Sequence, residues 1–264
     1  MTIGSSRIAA VMRKEFRDYR RNRLVVLTMA VMPLIFLAAP IVVVFTVPAS
    51  AASAALDRRL GLSLLYMLLI PVIVPGSVAG YAVVGEREQG TLEPLLSTPI
   101  RREELLIGKA AAALIPAVVI AYAVFGVFLA CVRLFANPVV SSAVFHESSV
   151  LVAQAVFTPL LAGWAIWAGM AVSTRASDVR VAQQLGMLAS LPPLAVTAMM
   201  SVGVIHPTPT LVALLAAGLL AIDLLAWRVV SWMFDRERLI TGGKPMSARS
   251  ARRLARYGPP SSTG

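Results

Sequence analysis

The feature that most constrains this chain is a set of long apolar runs separated by short polar stretches. The first run, residues 24–47, contains no charged side chain. As a helix rising about 1.5 Å per residue it would reach about 36 Å, which exceeds the roughly 30 Å hydrocarbon core of a bilayer. Only 14% of the residues are charged, against about 25% in soluble domains. The runs therefore predict an all-α membrane protein.

Six such runs predict six transmembrane helices. The second run, residues 60–84, is interrupted by Pro71, Pro75, Gly76 and Gly80. Breaks of this kind survive in lipid only where neighbouring helices or a wet cavity satisfy the freed backbone groups, so we expect this span to be kinked and to face the interior. Pro192 and Pro193 lie near the middle of the fifth run. The expected spans are residues 24–47, 60–84, 110–132, 150–172, 183–205 and 210–233.

The basic residues fall almost entirely on one side of these spans. Of the 24 Lys and Arg residues, 21 lie before the first span, in residues 85–109 and 173–182, or after residue 227. Because positively charged loops stay in the cytoplasm, both termini and residues 85–109 are placed there, in a multi-pass protein of the cytoplasmic (inner) membrane. This bias and contact with anionic lipid explain the net charge of +11 without nucleic acid. Residues 235–264 are basic and predict a disordered cytoplasmic tail.

An amphipathic helix is predicted at residues 5–23, ahead of the first span. Apolar side chains recur there every three or four positions, and arginines and lysines occupy the remaining positions. A basic helix with aromatic side chains on its apolar face suits the headgroup layer of a membrane. Packing against a partner protein is the alternative, and both can hold together. The apolar positions are Ile8, Val11, Met12, Phe16 and Tyr19.

The motifs of several enzyme classes are missing from the sequence. No G-x-x-x-x-G-K-[ST] loop occurs, so we do not expect the chain to hydrolyse ATP by that route. The two histidines, His146 and His206, fall in predicted outer loops, where solvated side chains are expected rather than a zinc site. No serine, histidine and carboxylate share a membrane depth, which argues against a serine hydrolase. We therefore expect no catalytic, cofactor-binding or metal-binding residues in this chain.

Asp223 is the one acidic residue well inside a predicted span. A carboxylate at the centre of a membrane helix costs about 2.5–3.5 kcal/mol on insertion scales, so such a residue usually faces the bundle interior or a wet path. Asp223 is therefore either a group on a transport pathway or a structural hydrogen-bond anchor. We favour the anchor because the sequence offers no second intramembrane acid to relay a proton.

The longest polar interruption between the first and last spans, residues 85–109, carries five of the 13 acidic residues. Gly90 permits a sharp turn, and Thr91 can cap a short helix that Pro99 ends. That helix would expose three leucines, which indicates a partner that covers them. A new helix is expected to start at residue 101 and run into the third span. The expected docking residues are Glu86, Glu88, Gly90, Thr91, Leu92, Glu93, Leu95, Leu96, Thr98 and Pro99.

This stretch also resembles the motif of a known family. Residues 86–99, EREQGTLEPLLSTP, followed by residues 104–109, ELLIGK, are similar to the motif of type-2 ABC transporter permeases. Further similarities lie at residues 14–16, 177–185 and 234–237. In one departure, the short loop at 206–209 leaves little room for the outer domain or re-entrant helices that some members carry.

The resemblance implies both a fold and a role. Residues 1–234 would form one transmembrane permease domain, and the loop between spans two and three would be a coupling helix. The chain would pair with a second permease subunit, identical or different, and with two copies of an ABC ATPase that uses ATP and Mg. ATP-driven closure of the ATPases would then power export. The alternative is a stand-alone secondary transporter or channel, for which Asp223 alone gives thin support.

Overall fold

The computed structural model describes residues 4–46, 53–91, 100–146, 148–205 and 208–233. Residues 92–99 of the predicted coupling helix and the tail at 235–264 lie outside this part of the chain. Within the described residues the fold is all-helical. The helices are α1 (Ser5–Arg21), α2 (Arg23–Phe45), α3 (Ser53–Tyr81), α4 (Val84–Glu88), α5 (Arg102–Phe135), α6 (Pro138–His146), α7 (Ser148–Ser173), α8 (Val179–Ala189), α9 (Leu191–Ser201) and α10 (Pro209–Met233).

Helix α3 forms the centre of the bundle. It packs against α2, α5, α7 and α8, and most of its apolar part is buried. Met67, Ile70 and Val74 are almost completely enclosed. The interior position expected for the second span is therefore confirmed, whereas its kink stays a prediction. In contrast, α2 and α10 turn most of their apolar side chains outward.

Five helices of the described chain, α2, α3, α5, α7 and α10, are long and apolar enough to cross a membrane. The fifth predicted span, residues 183–205, is not a single continuous helix. It is divided at Ser190 into α8 and α9. Helix α9 has 11 residues, which rise only about 16 Å, roughly half the thickness of a bilayer core.

The division follows from the two prolines, which occupy the first turn of α9. Pro192 and Pro193 lack the N–H groups that would continue the hydrogen bonds of α8. On α7, the indole Nε1–H of Trp164 donates instead to the carbonyl oxygen of Ala189, at 3.0 Å. A side chain of a neighbouring helix thus satisfies a backbone group that the break sets free, as a membrane protein requires.

Two further elements refine the prediction for the middle of the chain. Helix α5 begins at Arg102, so the predicted helix restart near residue 101 is confirmed and the third span is longer than 110–132.

Helix α6 lies where only a loop was expected. Asn137 accepts the N–H of Val140 at 2.9 Å, and Pro138 opens the helix. An N-cap asparagine followed by a first-turn proline is the sequence signal for this short helix.

Glycines let α3, α7 and α8 approach one another closely. A Cβ atom added to Gly169 of α7 would lie 2.9 Å from the Cβ of Ala79 and 3.1 Å from the backbone nitrogen of Gly80, both on α3. One added to Gly186 of α8 would lie 3.2 Å from the Cα of Gly169. Contacts between small residues are important in membranes because lipid supplies no hydrophobic driving force between helices.

We predict that Gly169→Ala destabilises the bundle, because the new methyl group must displace the backbone of α3. Overpacking of this kind typically costs about 1–3 kcal/mol. Gly126→Ala on α5 is the matched control, since a Cβ there meets no atom within 4 Å. Thermal unfolding in detergent should give a lower midpoint for Gly169→Ala than for Gly126→Ala. Equal midpoints would contradict the close packing of α3 and α7.

Candidate functional site

The base of the 85–109 loop is α4, which follows a break in the backbone after α3. The N–H groups of Val83 and Val84 both donate to the Oγ of Ser173 on α7, at 3.1 Å each. Ser173 is fully buried. One hydroxyl group therefore satisfies two backbone groups at the break and fixes the position from which α4 projects.

A glycine turn ends α4. Gly90 has a φ of +67°, a conformation that suits glycine because it has no Cβ. The N–H of Thr91 donates to the carbonyl oxygen of Glu86 at 2.9 Å, and that of Gly90 to the carbonyl oxygen of Arg87 at 3.1 Å. This pair of bonds is the Schellman motif. The sharp turn expected at Gly90 is present, and the helix that Thr91 was expected to cap lies at residues outside the described chain.

Two charged residues of α4 hold the segment between α7 and α8. The guanidinium group of Arg87 donates to the carbonyl oxygens of Thr174 at 3.2 Å and Ala176 at 3.1 Å. The Oε1 of Glu88 accepts the N–H of Val179, the first residue of α8, at 3.3 Å. A carboxylate at this end also interacts favourably with the helix dipole of α8. Glu88 thus caps a neighbouring helix within its own chain.

The third charged residue of α4, Glu86, lies in a cluster that we call the charge quartet: Lys14, Glu15, Glu86 and Lys109. The Oε1 of Glu86 accepts from the Nζ of Lys14 at 2.5 Å and from the Nζ of Lys109 at 2.8 Å. Lys109 also donates to the Oε1 of Glu15 at 2.9 Å. The side chains of Lys109, Glu15 and Glu86 are 2%, 7% and 8% exposed. Two positive and two negative charges balance, as buried charges require.

The ion pairs of the quartet favour the charged forms of Lys14 and Glu15. Burial by itself would lower the pKa of Lys14, but the carboxylates of Glu15 and Glu86 outweigh it and raise that pKa above its ordinary value. Burial would raise the pKa of Glu15, but Lys109 and Lys14 outweigh it and lower that pKa. Burial and the nearby carboxylates raise the pKa of Tyr19, which stays neutral at physiological pH.

Glu104 makes a second connection between α1 and α5. Its Oε1 accepts the N–H of Gly4 at 3.0 Å, and its Oε2 accepts the N–H of Arg101 at 3.1 Å. The guanidinium group of Arg7 lies 3.4 Å from the same Oε2. The start of α1 is thereby held at the start of α5. In the sequence, Glu104 belongs to the ELLIGK motif, and its contact with α1 could not be read there.

Helix α1 packs along the first turns of α5. The helix expected over residues 5–23 is present as Ser5–Arg21, and its most buried residues are Val11 and Glu15. A Cβ added to Gly108 would lie 2.6 Å from the Cγ1 of Val11, so the glycine allows this close approach. Four of the predicted apolar positions are half-buried: Ile8, Met12, Phe16 and Tyr19. The apolar face of α1 therefore packs against the chain itself, a contact that the sequence did not predict.

Asp223 lies on α10 against α7. It is 7% exposed, and its Oδ2 would lie 3.0 Å from a Cβ added to Gly163. Its buried Oδ1 has no hydrogen-bond partner in the described part of the chain. Asp223 is thus separate from the charge quartet, and its role as an anchor or a pathway group stays a prediction.

Two adjoining clefts open beside the charge quartet. The first has a volume of about 480 Å³ and is lined by all four quartet residues. The second, of about 440 Å³, lies between α2, α3 and α8. Both are lined by Asn22, Val25 and Tyr81. Among the residues that the structure describes, no three His, Cys, Asp or Glu side chains are grouped so that they could hold a metal ion.

We predict that Gly90→Ala opens the turn at the end of α4. A Cβ at Gly90 meets no atom within 4 Å, so the cost is conformational and amounts to about 1–2 kcal/mol. The matched control is Gly90→Asn, because asparagine tolerates positive φ. Hydrogen exchange should show faster exchange of the Thr91 amide in Gly90→Ala than in Gly90→Asn. Identical exchange in the two variants would contradict the role of the turn.

Comparison with known proteins identifies the family of this fold. Residues 9–234 match the family model described as ABC-2 family transporter protein. No curated protein matches the chain. The match spans every helix from α2 to α10 and most of α1. It includes all four residues of the charge quartet and agrees with the motif resemblance at residues 86–109. This chain belongs to the ABC-2 transporter family and is a type-2 ABC permease.

Proposed function

We propose that the chain is the transmembrane permease subunit of an ATP-driven exporter and that a separate ATPase subunit hydrolyses ATP. The observation that carries this proposal is the attachment of α4. Through Glu86, Arg87 and Glu88, α4 contacts α1, α5 and the segment that leads into α8. A displacement of the 85–109 loop would therefore reach several helices at once.

Residues 92–99 are the coupling segment in this proposal. Leu92, Leu95 and Leu96 would fill a groove on the ATPase, beside Glu93, Thr98 and Pro99. Glu86 and Glu88 already accept hydrogen bonds within the chain. Their part in coupling is therefore to hold the base of the loop, and the direct contact with the ATPase falls to the residues beyond Thr91.

The assembly consists of two permease subunits and two ABC ATPases in the cytoplasmic membrane. In this proposal α8 and α9 together supply the sixth crossing, so that both termini lie on the same side. The bias of Lys and Arg residues makes that side the cytoplasm, where the ATPases use ATP and Mg. The outward apolar faces of α2 and α10 contact lipid or the second permease subunit. Arg13, Arg17 and Arg20, which are exposed on α1, bind anionic lipid headgroups.

The cargo in this proposal is an amphipathic molecule. The two clefts beside the quartet combine charged side chains with apolar ones such as Val25 and Val78. Ligand sites are commonly built from apolar walls with a few polar groups that fix orientation. A molecule with a polar head and an apolar body fits this lining better than a bare ion does.

We predict that Leu95→Asp/Leu96→Asp abolishes co-purification with the ATPase or uncouples ATP hydrolysis from export. Burying one leucine is worth about 1.5–3 kcal/mol, so losing two should weaken binding at least about a hundredfold. Leu95→Met/Leu96→Met conserves volume and apolar character and should retain the complex. The candidate partner is a P-loop ATPase encoded beside this chain, and the complex is measured by affinity purification.

Full assembly and export in the aspartate variant would overturn docking through these leucines. The alternative function has a different test, which uses the purified permease in vesicles without an ATPase. Transport driven by an ion gradient alone would support a secondary transporter or channel and would contradict the proposed function.

A further inference from the structure

Lys109 joins three segments of the chain at one buried point. Its Nζ donates to Glu15 on α1 at 2.9 Å, to Glu86 on α4 at 2.8 Å and to the carbonyl oxygen of Ala82, between α3 and α4, at 3.1 Å. A lysine ammonium group has three N–H donors, so these contacts use all of them. Lys109 itself lies near the start of α5.

We propose that Lys109 is the positioning residue that makes α1, α4 and the start of α5 move as one body when the 85–109 loop is displaced. This inference rests on the proposed function, because it concerns how movement of the loop spreads. It assigns α1 to the moving part of the permease. Without such a connection, α4 could shift while α1 stayed behind in the headgroup layer.

The quartet joins α1 to α4 through ion pairs, whereas other contacts of α1 run to α5. Glu104 holds the first residues of α1 to α5, and Val11 packs on Gly108 one turn before Glu15. Neither contact reaches α4. The connection between α1 and α4 consists of Lys14 and Glu15, which meet Glu86 directly or through Lys109.

The chemistry of the quartet resists separation. If α1 left α5, Glu15 would keep only Lys14 as a partner, and Lys109 would lose one of its acceptors while still buried. Breaking a buried ion pair by removing one partner is strongly unfavourable because an uncompensated charge is left behind. We therefore expect the four side chains of the quartet to stay paired when α1, α4 and the start of α5 move.

The experiment uses the assembled transporter in lipid nanodiscs, with the ATPase present. Cys131, the single cysteine, is replaced by serine, and Val11→Cys places one thiol in the buried contact between α1 and α5. The rate at which a membrane-impermeant maleimide labels this thiol is measured without nucleotide and after trapping with ATP, Mg and vanadate. Bound nucleotide is measured in the same sample.

The test variant is Glu15→Gln/Lys109→Met, which removes one charge of each sign and leaves Lys14 paired with Glu86. Trapping should raise the rate at which this variant is labelled at least about tenfold, because α1 should then no longer follow α5. A tenfold change corresponds to about 1.4 kcal/mol in the equilibrium between packed and separated helices. The protein with an intact quartet should stay protected in both states. Arg13→Met, which removes an exposed charge next to the quartet, is the matched control and should also stay protected.

Three results would overturn the proposal. One is protection of the double variant after trapping, and another is exposure of the thiol on trapping with an intact quartet. The third is equal labelling of the double variant with and without nucleotide, since the quartet would then only hold α1 in place at rest.

If the double variant fails to assemble, Glu15→Gln alone keeps Lys109 on Glu86 and should give a rise of about threefold in the labelling rate. Failure of the proposed function is distinct, because the intact protein would then bind no ATPase or trap no nucleotide.

Discussion

The structure depends on the pairing of charges that lie at the border of the membrane bundle. Glu15, Glu86 and Lys109 are buried, and the free energy cost of removing them from water is offset only while they remain together. Because they come from three separated segments, their pairing determines where α1 lies and where the 85–109 loop begins. Lys14 completes the charge balance from the half-exposed edge of the cluster.

The same requirement for satisfied polar groups explains where the backbone can break. After α3, the hydroxyl group of Ser173 receives two N–H groups, and at the start of α9 the indole of Trp164 covers a carbonyl oxygen. Both of these side chains belong to α7. Helix α7 therefore stabilises both interruptions of its neighbours, and a bundle surrounded by lipid can contain α4 and the divided pair α8 and α9 without leaving these groups unpaired.

The sequence predicted the local elements well because each depends on a local pattern. Apolar length located the spans of α2, α7 and α10 within about two residues at each end. The stop expected at Pro99 put the start of α5 near residue 101, and Gly90 marked its turn. The pairing in the quartet could not be predicted, since Lys109 and Glu15 are 94 positions apart. A partial signal was present: Glu15 comes four positions after Val11, so helical periodicity places this carboxylate on the packed face of α1. The prolines of the fifth run were noted, but the hydrogen bond from Trp164 to the carbonyl oxygen of Ala189 could not be predicted.

The charged side chains at the start of the EREQGTLEPLLSTP motif bind within the chain, and this changes the role assigned to them from the sequence. The sequence alone suggested that its carboxylates face a partner, because polar residues in a loop are normally solvated. In the structure, Glu86 and Arg87 face inward, Glu88 accepts the first N–H of α8, and Gly90 forms the turn that ends α4. The motif therefore divides at Gly90 into an attachment part before the turn and a second part after it. Because the attachment part joins α4 to α1, α5 and the segment before α8, a force applied beyond Gly90 would reach all three through α4.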